Sequence, residues 1–256
     1  MVEGPTAKIY ALKVESGFRG ETVRRVWVKT TKRVYVSLDS FLGRRLDRVE
    51  TFGKNIVMFF DGFAVRIHLM MFGSIHVYGL GEGLLKPEKQ VRLVLEGEKR
   101  RLVVYNAPIV EVGRAEEIVK ELKDRLGPDP LREDWDEEEA VKRILGFGEE
   151  KVGVVLLNQE VIAGVGNILR NEVLFRVGVH PEKLVKDLGE EKVRSIVRVT
   201  KNLCEQFLRF KLEKGRIKPL LYVYNRYGKP CMVCGEKIKF YFQQPIKRKT
   251  FVCERC

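Results

Sequence analysis

The chain of 256 residues is long enough for one large domain or two of ordinary size. Its hydrophobic fraction of 45% supports sizeable cores, but no apolar run reaches the roughly 20 residues of a membrane span and no secretory h-region opens the sequence, so a soluble intracellular protein with no membrane partner is expected. Lys+Arg 48 against Asp+Glu 35 leaves a formal charge of +13, which points to a polyanionic partner, most often nucleic acid, with a solvated basic surface as the plain alternative.

Met1-Val2-Glu3-Gly4-Pro5 opens the chain. Val2 is small, so the initiator Met is expected to be removed, leaving Val2 with a free α-amine. A chain-terminal α-amine ordinarily titrates at about 7.7–8.0, so a useful fraction is uncharged at neutral pH. Amines of this kind attack sugar or carbonyl carbons to form Schiff bases, and Glu3 sets a carboxylate one residue away for proton transfer. The plain alternative is an ordinary frayed terminus. Pro5 suits a helix start, and apolar residues at Ala7, Ile9, Tyr10, Leu12 and Val14 predict a short helix over 6–15, stopped near Gly17.

From 21 to about 112 the pattern changes to runs rich in Val, Ile, Phe and Tyr: Val23, Val26 and Val28, then 34–38, 56–60, 63–69, 75–78, 91–95 and 102–105, parted by turns such as Asp61-Gly62. Many short strands at this spacing predict a β-sandwich or barrel-like domain. Residues 114–126 read as a helix, and Gly127-Pro128-Asp129-Pro130 as a linker. Helical periodicity then covers 137–145, 152–158, 168–175 and 190–211, followed by a connector over 215–230. No internal repeat or low-complexity tract is present.

Four of the five cysteines crowd the last stretch as Cys231-x2-Cys234 and Cys253-x2-Cys256, eighteen residues between the pairs. Two tight knuckles each presenting two thiolates give the tetrahedral four-sulfur shell that zinc prefers, and with every position filled by protein the metal is structural, one Zn2+ per chain. Two disulfides or an iron–sulfur cluster are the alternatives. Alternating Ile238, Phe240 and Phe242 between the pairs suggest a hairpin, with Gln243, Gln244, Lys247, Arg248 and Lys249 near its turn. Upstream, Leu156 to Ile168 reads as helix, two tight turns and a helix start, in which Asn167 either caps the helix or offers a phosphate site. Cys204 reads as a buried helical residue; Arg44-Arg45 and Lys99-Arg100-Arg101 as solvated charge; Tyr222, Tyr224 and Tyr227 as core or base-stacking groups. No histidine has ligand spacing.

Met-Val-Glu-Gly-Pro, Leu-Leu-Asn-Gln…Gly-Val-Gly-Asn-Ile, Val223-Tyr-Asn-Arg-Tyr-Gly-Lys-Pro-Cys231 and Arg248-Lys249-Thr250 before Cys253 stand in one order along the chain. Together they resemble the formamidopyrimidine-DNA glycosylase/endonuclease VIII family of base-excision repair. The resemblance implies an α+β fold: an N-terminal catalytic β-sandwich domain over 1–126, a helix–two-turns–helix DNA-binding domain over 131–222 and a zinc finger over 223–256. It implies a monomeric bifunctional glycosylase/apurinic lyase acting on damaged DNA, single-stranded or duplex, in a cytoplasm or, for a eukaryote, a nucleus. By the same resemblance Val2 is the nucleophile, Glu3 assists ring opening and proton transfer, and Lys54, Asn167 and Arg248 hold phosphates beside an extruded nucleotide.

The chain departs from the family pattern in four places. Valine stands where most members have proline, as in the third vertebrate Nei-like enzyme. The imine of a primary amine can lose its proton, so base removal is expected to outpace strand cleavage. Thr6 replaces a glutamate found in many members. In His68-Leu-Met-Met71-Phe-Gly73, Met71 matches the methionine wedge that enters the stack, yet Asn106-Ala-Pro-Ile-Val110 follows where its Arg and Phe companions would be. With nothing there to hold an orphaned base, single-stranded or weakly paired DNA is the expected substrate. Only the short stretch 212–222 links the last helix to Val223, and the long capping loop of the family's purine-preferring branch is not evident in it, so oxidised pyrimidines and hydantoins are the expected lesions. Two other readings compete: a non-catalytic zinc-containing nucleic-acid-binding protein on the same scaffold, and a ribosome-associated zinc ribbon.

Overall fold

The structure is a computed structural model that describes residues 2–29 and 36–256. The chain forms two compact units, Met1–Arg125 and Leu126–Cys256.

The first unit opens with helix α1 (Gly4–Phe18). Pro5 in its first turn needs no N–H partner and has its φ pre-set, and Ala7 N donates to the Glu3 carbonyl as the first helical bond. Ala7, Ala11, Val14 and Phe18 form the buried stripe, spaced as one helix face requires. Phe18 is fully buried, which carries the helix one residue beyond Gly17; the start lies two residues earlier than the apolar pattern alone suggests, because Gly4 and Pro5 are themselves helical.

Eight strands follow: β1 (Arg25–Val28), β2 (Arg48–Phe52), β3 (Asn55–Phe60), β4 (Phe63–His68), β5 (Ser74–Gly79), β6 (Val91–Glu96), β7 (Arg100–Tyr105) and β8 (Ile109–Arg114). They make two antiparallel four-stranded sheets, ordered β1-β6-β7-β5 and β2-β3-β4-β8. Inward residues of both, Ile56, Met58, Val65 and Ile67 from one and Leu93, Leu95, Leu102 and Val104 from the other, meet in one core with the stripe of α1. This is the expected sandwich. Two strands escaped the sequence pattern. β2 reads RVETF, with charged residues outward, and β8 lies beyond the last expected apolar run, 102–105, and reaches the expected start of the helix at 114. Of the expected strand 34–38, positions 34 and 35 lie outside the described residues, while Leu38–Phe41 is a 3-10 turn capped by the Ser37 hydroxyl, which accepts from Asp39 N.

Helix α2 (Ala115–Arg125) covers the outer face of the second sheet. There Arg66, almost fully buried, donates to Asn55 Oδ1 at 3.1 Å, Glu111 at 2.9 Å and Glu121 of α2 at 3.3 Å. Removing one member of such a network strands the rest without water.

The second unit contains α3 (Glu137–Leu145), α4 (Val152–Val155), α5 (Asn167–Arg176), α6 (Glu190–Lys214) and the hairpin of β9 (Lys239–Gln243) and β10 (Arg248–Val252). Asp136 caps α3 by accepting from Glu139 N, and Gly215 ends α6 in the left-handed conformation. Between α4 and α5 the chain makes its two turns. Gln159 fixes them: its amide donates to the Leu157 and Val165 carbonyls and accepts from Gly164 N. Gly127 packs so close to this loop that a Cβ would stand 2.4 Å from the Val161 carbonyl.

Candidate active site and nucleic-acid interface

In the first unit the predicted catalytic residues gather around the start of α1. Val2 and Glu3 are 6% and 4% exposed. The Val2 nitrogen, an amide while Met1 is attached and the α-amine once it is gone, donates to the Met70 carbonyl at 3.0 Å. Met70 belongs to the tight turn between β4 and β5 that carries Met71, so the proposed nucleophile and the proposed wedge are tied by one hydrogen bond. Met71 is 49% exposed and Phe72 74%, apolar side chains presented to solvent at a turn. Gly73 is required there, since a Cβ would lie 2.6 Å from the Leu69 carbonyl.

Lys54 sits in the two-residue turn between β2 and β3, beside Gly53 with φ 58°. Its neighbour Asn55 pairs with His68 across β3 and β4. Burial first, then the charges of Lys54 and Arg66, lower His68 to about 4. A run of groups thus leads from Lys54 through His68 to Met70 and Val2. His68 escaped the sequence reading, which tested histidines only for metal spacing.

The turn between β7 and β8 is three residues, 106–108. Asn106, at φ 50°, spends its amide on the Gln90 side chain; Ala107 is buried. Neither reaches outward as a wedge would.

In the second unit Asn167 is not the cap of α5. Gly166 holds the cap position and Asn167 is the first helical residue, its amide donating to the Lys249 carbonyl at 2.9 Å. Its Oδ1 is buried and has no hydrogen-bond partner among the described residues. Arg248 is exposed at the start of β10, next to Lys249, so Asn167 and Arg248 flank one strand start.

The clamp behind them was unread in the sequence. Arg170 and Glu172 are both 0% exposed, and Asn171 nearly so. Arg170 donates to Gln243 Oε1 and Thr250 Oγ1, Asn171 Oδ1 accepts from Phe251 N, and Glu172 accepts from the backbone N–H groups of Tyr222, Val223 and Tyr224 at 2.8–3.0 Å. Three consecutive polar residues sweep about 200° of a helix and carry no periodic sign of burial; here they hold the hairpin. Glu172→Leu leaves three amides without their acceptor, that of Val223 buried and those of Tyr222 and Tyr224 part-buried, so a loss of about 1–3 kcal/mol is expected in urea unfolding.

The alternating residues 238, 240 and 242 do lead into a hairpin, in which Phe242 is 58% exposed and the side facing α5 is taken by Gln243 and Thr250. Tyr224 packs edge-on against Phe251, Tyr222 lies beside Phe175 and Arg176, and Tyr227 meets Phe240 while staying exposed.

The four hairpin cysteines bring their sulfurs within 4.8 Å of one another. Cys231 to Cys256 is 3.8 Å and Cys234 to Cys253 is 3.4 Å. A tetrahedral shell with bonds of about 2.3 Å puts sulfurs about 3.8 Å apart, so the donor set fits a zinc-sized cation. The thiols of the cluster do not titrate alike: a backbone N–H at Glu236 is the main cause pulling Cys234 down to about 7, burial raises Cys253, and the hydrogen bond with Cys234 is the main cause pushing Cys256 up to about 12, so a metal would have to displace protons from the last two.

Sandwich, helix–two-turns–helix and four-cysteine hairpin, in this order, define an Fpg-like fold with α+β content. Residues 1–108 match the formamidopyrimidine-DNA glycosylase N-terminal domain, and residues 126–218 the formamidopyrimidine-DNA glycosylase H2TH domain. Among relatives, endonuclease 8 1 of Mycobacterium bovis is 30% identical over 86% of this chain and 87% of its own, and formamidopyrimidine-DNA glycosylase of Methylococcus capsulatus is 32% identical over 85% and 84%. A crystal structure of Lactococcus lactis Fpg in complex with abasic-site DNA shares the fold with a TM-score of 0.87 at 22% identity, covering 99% of this chain and 98% of that one. The chain belongs to the formamidopyrimidine-DNA glycosylase/endonuclease VIII family. Membership supports the function of a DNA-binding glycosylase in base-excision repair.

Proposed function

We propose that the protein is a bifunctional DNA glycosylase/apurinic lyase of the endonuclease VIII-like branch with an N-terminal valine, removing oxidised pyrimidines and hydantoins through a Schiff base on Val2. The observation that carries this reading is the Val2 nitrogen held at 3.0 Å by the Met70 carbonyl, one residue from the buried Glu3. Once Met1 is removed, the amine attacks C1′, the base departs with the glycosidic electron pair and a proton, and Glu3 supplies a proton to the opening ring.

Lys54, Arg248 and the remaining N–H of the Asn167 amide would neutralise phosphates flanking the lesion, the last aided by the positive end of α5. Met71 would fill the gap left by the base. Cys231, Cys234, Cys253 and Cys256 would hold one structural Zn2+, whose role is to order the hairpin that carries Arg248. The compact 106–108 turn supports a preference for single strands, since nothing in it supports an orphaned base. The names of the relatives, endonuclease 8 and formamidopyrimidine-DNA glycosylase, agree with this class of activity.

Borohydride trapping on an abasic-site oligonucleotide tests the reading. A covalent adduct is expected, forming faster on single-stranded than on matched duplex DNA. No adduct with either would leave a nucleic-acid-binding protein without the chemistry, and faster reaction on the duplex would overturn the strand preference.

A further inference from the structure

His68 ends β4 and is paired with Asn55 on one side and Ile109 on the other, so its backbone is fixed by the sheet. Its Nδ1 accepts from the Met70 backbone N–H at 3.2 Å. Met70 is a non-glycine residue with φ 52°, a conformation that costs free energy unless its surroundings impose it. Three features do so: the His68 bond, the fully buried Leu69, and the Gly73 N–H donating to the Leu69 carbonyl at 2.9 Å. The result is a Met70 carbonyl aimed at the Val2 nitrogen.

We propose that His68 is a positioning residue for the Schiff-base step: by fixing Met70 it holds a carbonyl acceptor on the Val2 nitrogen, so that the one N–H left on the imine keeps its proton. The inference rests on the reading of Val2 as nucleophile. A primary amine begins with two N–H bonds. One proton is lost as nitrogen bonds to C1′ and the base leaves. Ring opening moves the C1′–O4′ electron pair to O4′, which takes a proton, and the nitrogen lone pair forms the C1′=N bond with one N–H remaining. Strand cleavage then removes a proton from C2′ and expels the 3′ phosphate, its electrons drawn toward nitrogen only while that nitrogen is charged. Proline would leave no N–H to lose; valine leaves one, and a fixed carbonyl opposite it favours the charged form.

Only a neutral imidazole offers Nδ1 as an acceptor. His68 stays neutral above about pH 4, with burial the first cause and Lys54 and Arg66 adding to it; Glu111 and Glu121 offset the Arg66 charge, and Glu3 is the carboxylate beside Val2. The clamp is therefore intact wherever the amine is reactive.

The test compares His68→Phe, which keeps bulk without an acceptor, with His68→Asn, whose side-chain oxygen can take the N–H two residues on. Base removal and strand cleavage are measured in single turnovers, enzyme in excess, from about pH 6 to 9, a range that brackets the ordinary titration of an α-amine. His68→Phe is expected to slow both steps as the Val2 nitrogen loses its fixed acceptor, and in addition to move the alkaline limb of strand cleavage, normalised to base removal, down by about one pH unit, a tenfold change in charged fraction worth about 1.4 kcal/mol. His68→Asn is expected to restore the limb. An unmoved limb in His68→Phe, or His68→Asn as impaired as His68→Phe, overturns the proposal. A wild-type chain that traps, loses the adduct when Val2 is blocked, yet shows no shift in His68→Phe sinks this inference alone; a wild-type chain that never traps removes the Val2 reading and this inference with it.

Discussion

A chain with one residue retained before Val2, or with the Val2 α-amine acetylated, is expected to give no borohydride adduct and to lose base removal by about 10⁴-fold or more, the scale on which losing a covalent nucleophile falls. The reason is electronic. Acylation delocalises the nitrogen lone pair into a peptide bond and removes the nucleophile. The contact with Met70 is indifferent to this change, because the Val2 nitrogen donates to the Met70 carbonyl at 3.0 Å as an amide and keeps an N–H to donate as an amine. The buried Val2 side chain and the α1 stripe of Ala7, Ala11, Val14 and Phe18 are also untouched. Thermal midpoint and affinity for an abasic-site oligonucleotide should therefore stay at wild-type values while chemistry disappears. A blocked chain that still forms an adduct would move the nucleophile to a lysine, with Lys54 the first to examine by mapping the reduced peptide.

The parts of the fold visible in the sequence are those where one face of an element is apolar at a regular period. Strands β3, β4, β5, β6 and β7 fall within a residue or two of their apolar runs, and α3 and α6 begin where predicted. β2 was hidden because its first residues alternate charge toward solvent before Thr51 and Phe52 turn inward. α5 lies where its periodicity predicts, but its buried side is not the apolar one alone. Arg170, Asn171 and Glu172 are polar yet buried, since their hydrogen-bond partners are the backbone and side chains of segments 50 to 80 residues away, and no local period records that. Asn167 shows the same limit on a smaller scale: the cap role was natural from sequence, and the Lys249 carbonyl that claims its amide comes from the other end of the unit. The cysteine cluster was legible because metal ligation imposes its own spacing. His68 was not, because what sets it apart is a bond from a backbone N–H two residues on and charges from neighbouring strands.

Chelation should disorder the cysteine knuckles and spare the strands beside them. The hairpin has little core of its own: Val223, Ile238, Phe251, Cys231 and Cys253 form its buried cluster, and Val252 is buried next to Phe251. A segment this small does not fold by burial alone. Two restraints share the work. Arg170, Asn171 and Glu172 of α5 hold Thr250, Phe251 and residues 222–224, whereas hydrogen bonds on the knuckle around Cys231 and Cys234, such as Gly235 N to the Cys231 carbonyl and Val233 N to Cys231 Sγ, stay within its own short segment. Structural zinc contributes folding free energy on the order of 10 kcal/mol in small domains, far more than those bonds can replace. Removing it is expected to abolish amide-exchange protection over 229–237 while β9 and β10, and with them the strand start that carries Arg248, keep a measurable part of theirs. Cys234→Ser should reproduce the pattern without chelator. Protection unchanged by chelator, with an intact mass lower by four hydrogens, would mean that the sulfurs are joined as two disulfides and that no metal holds the hairpin.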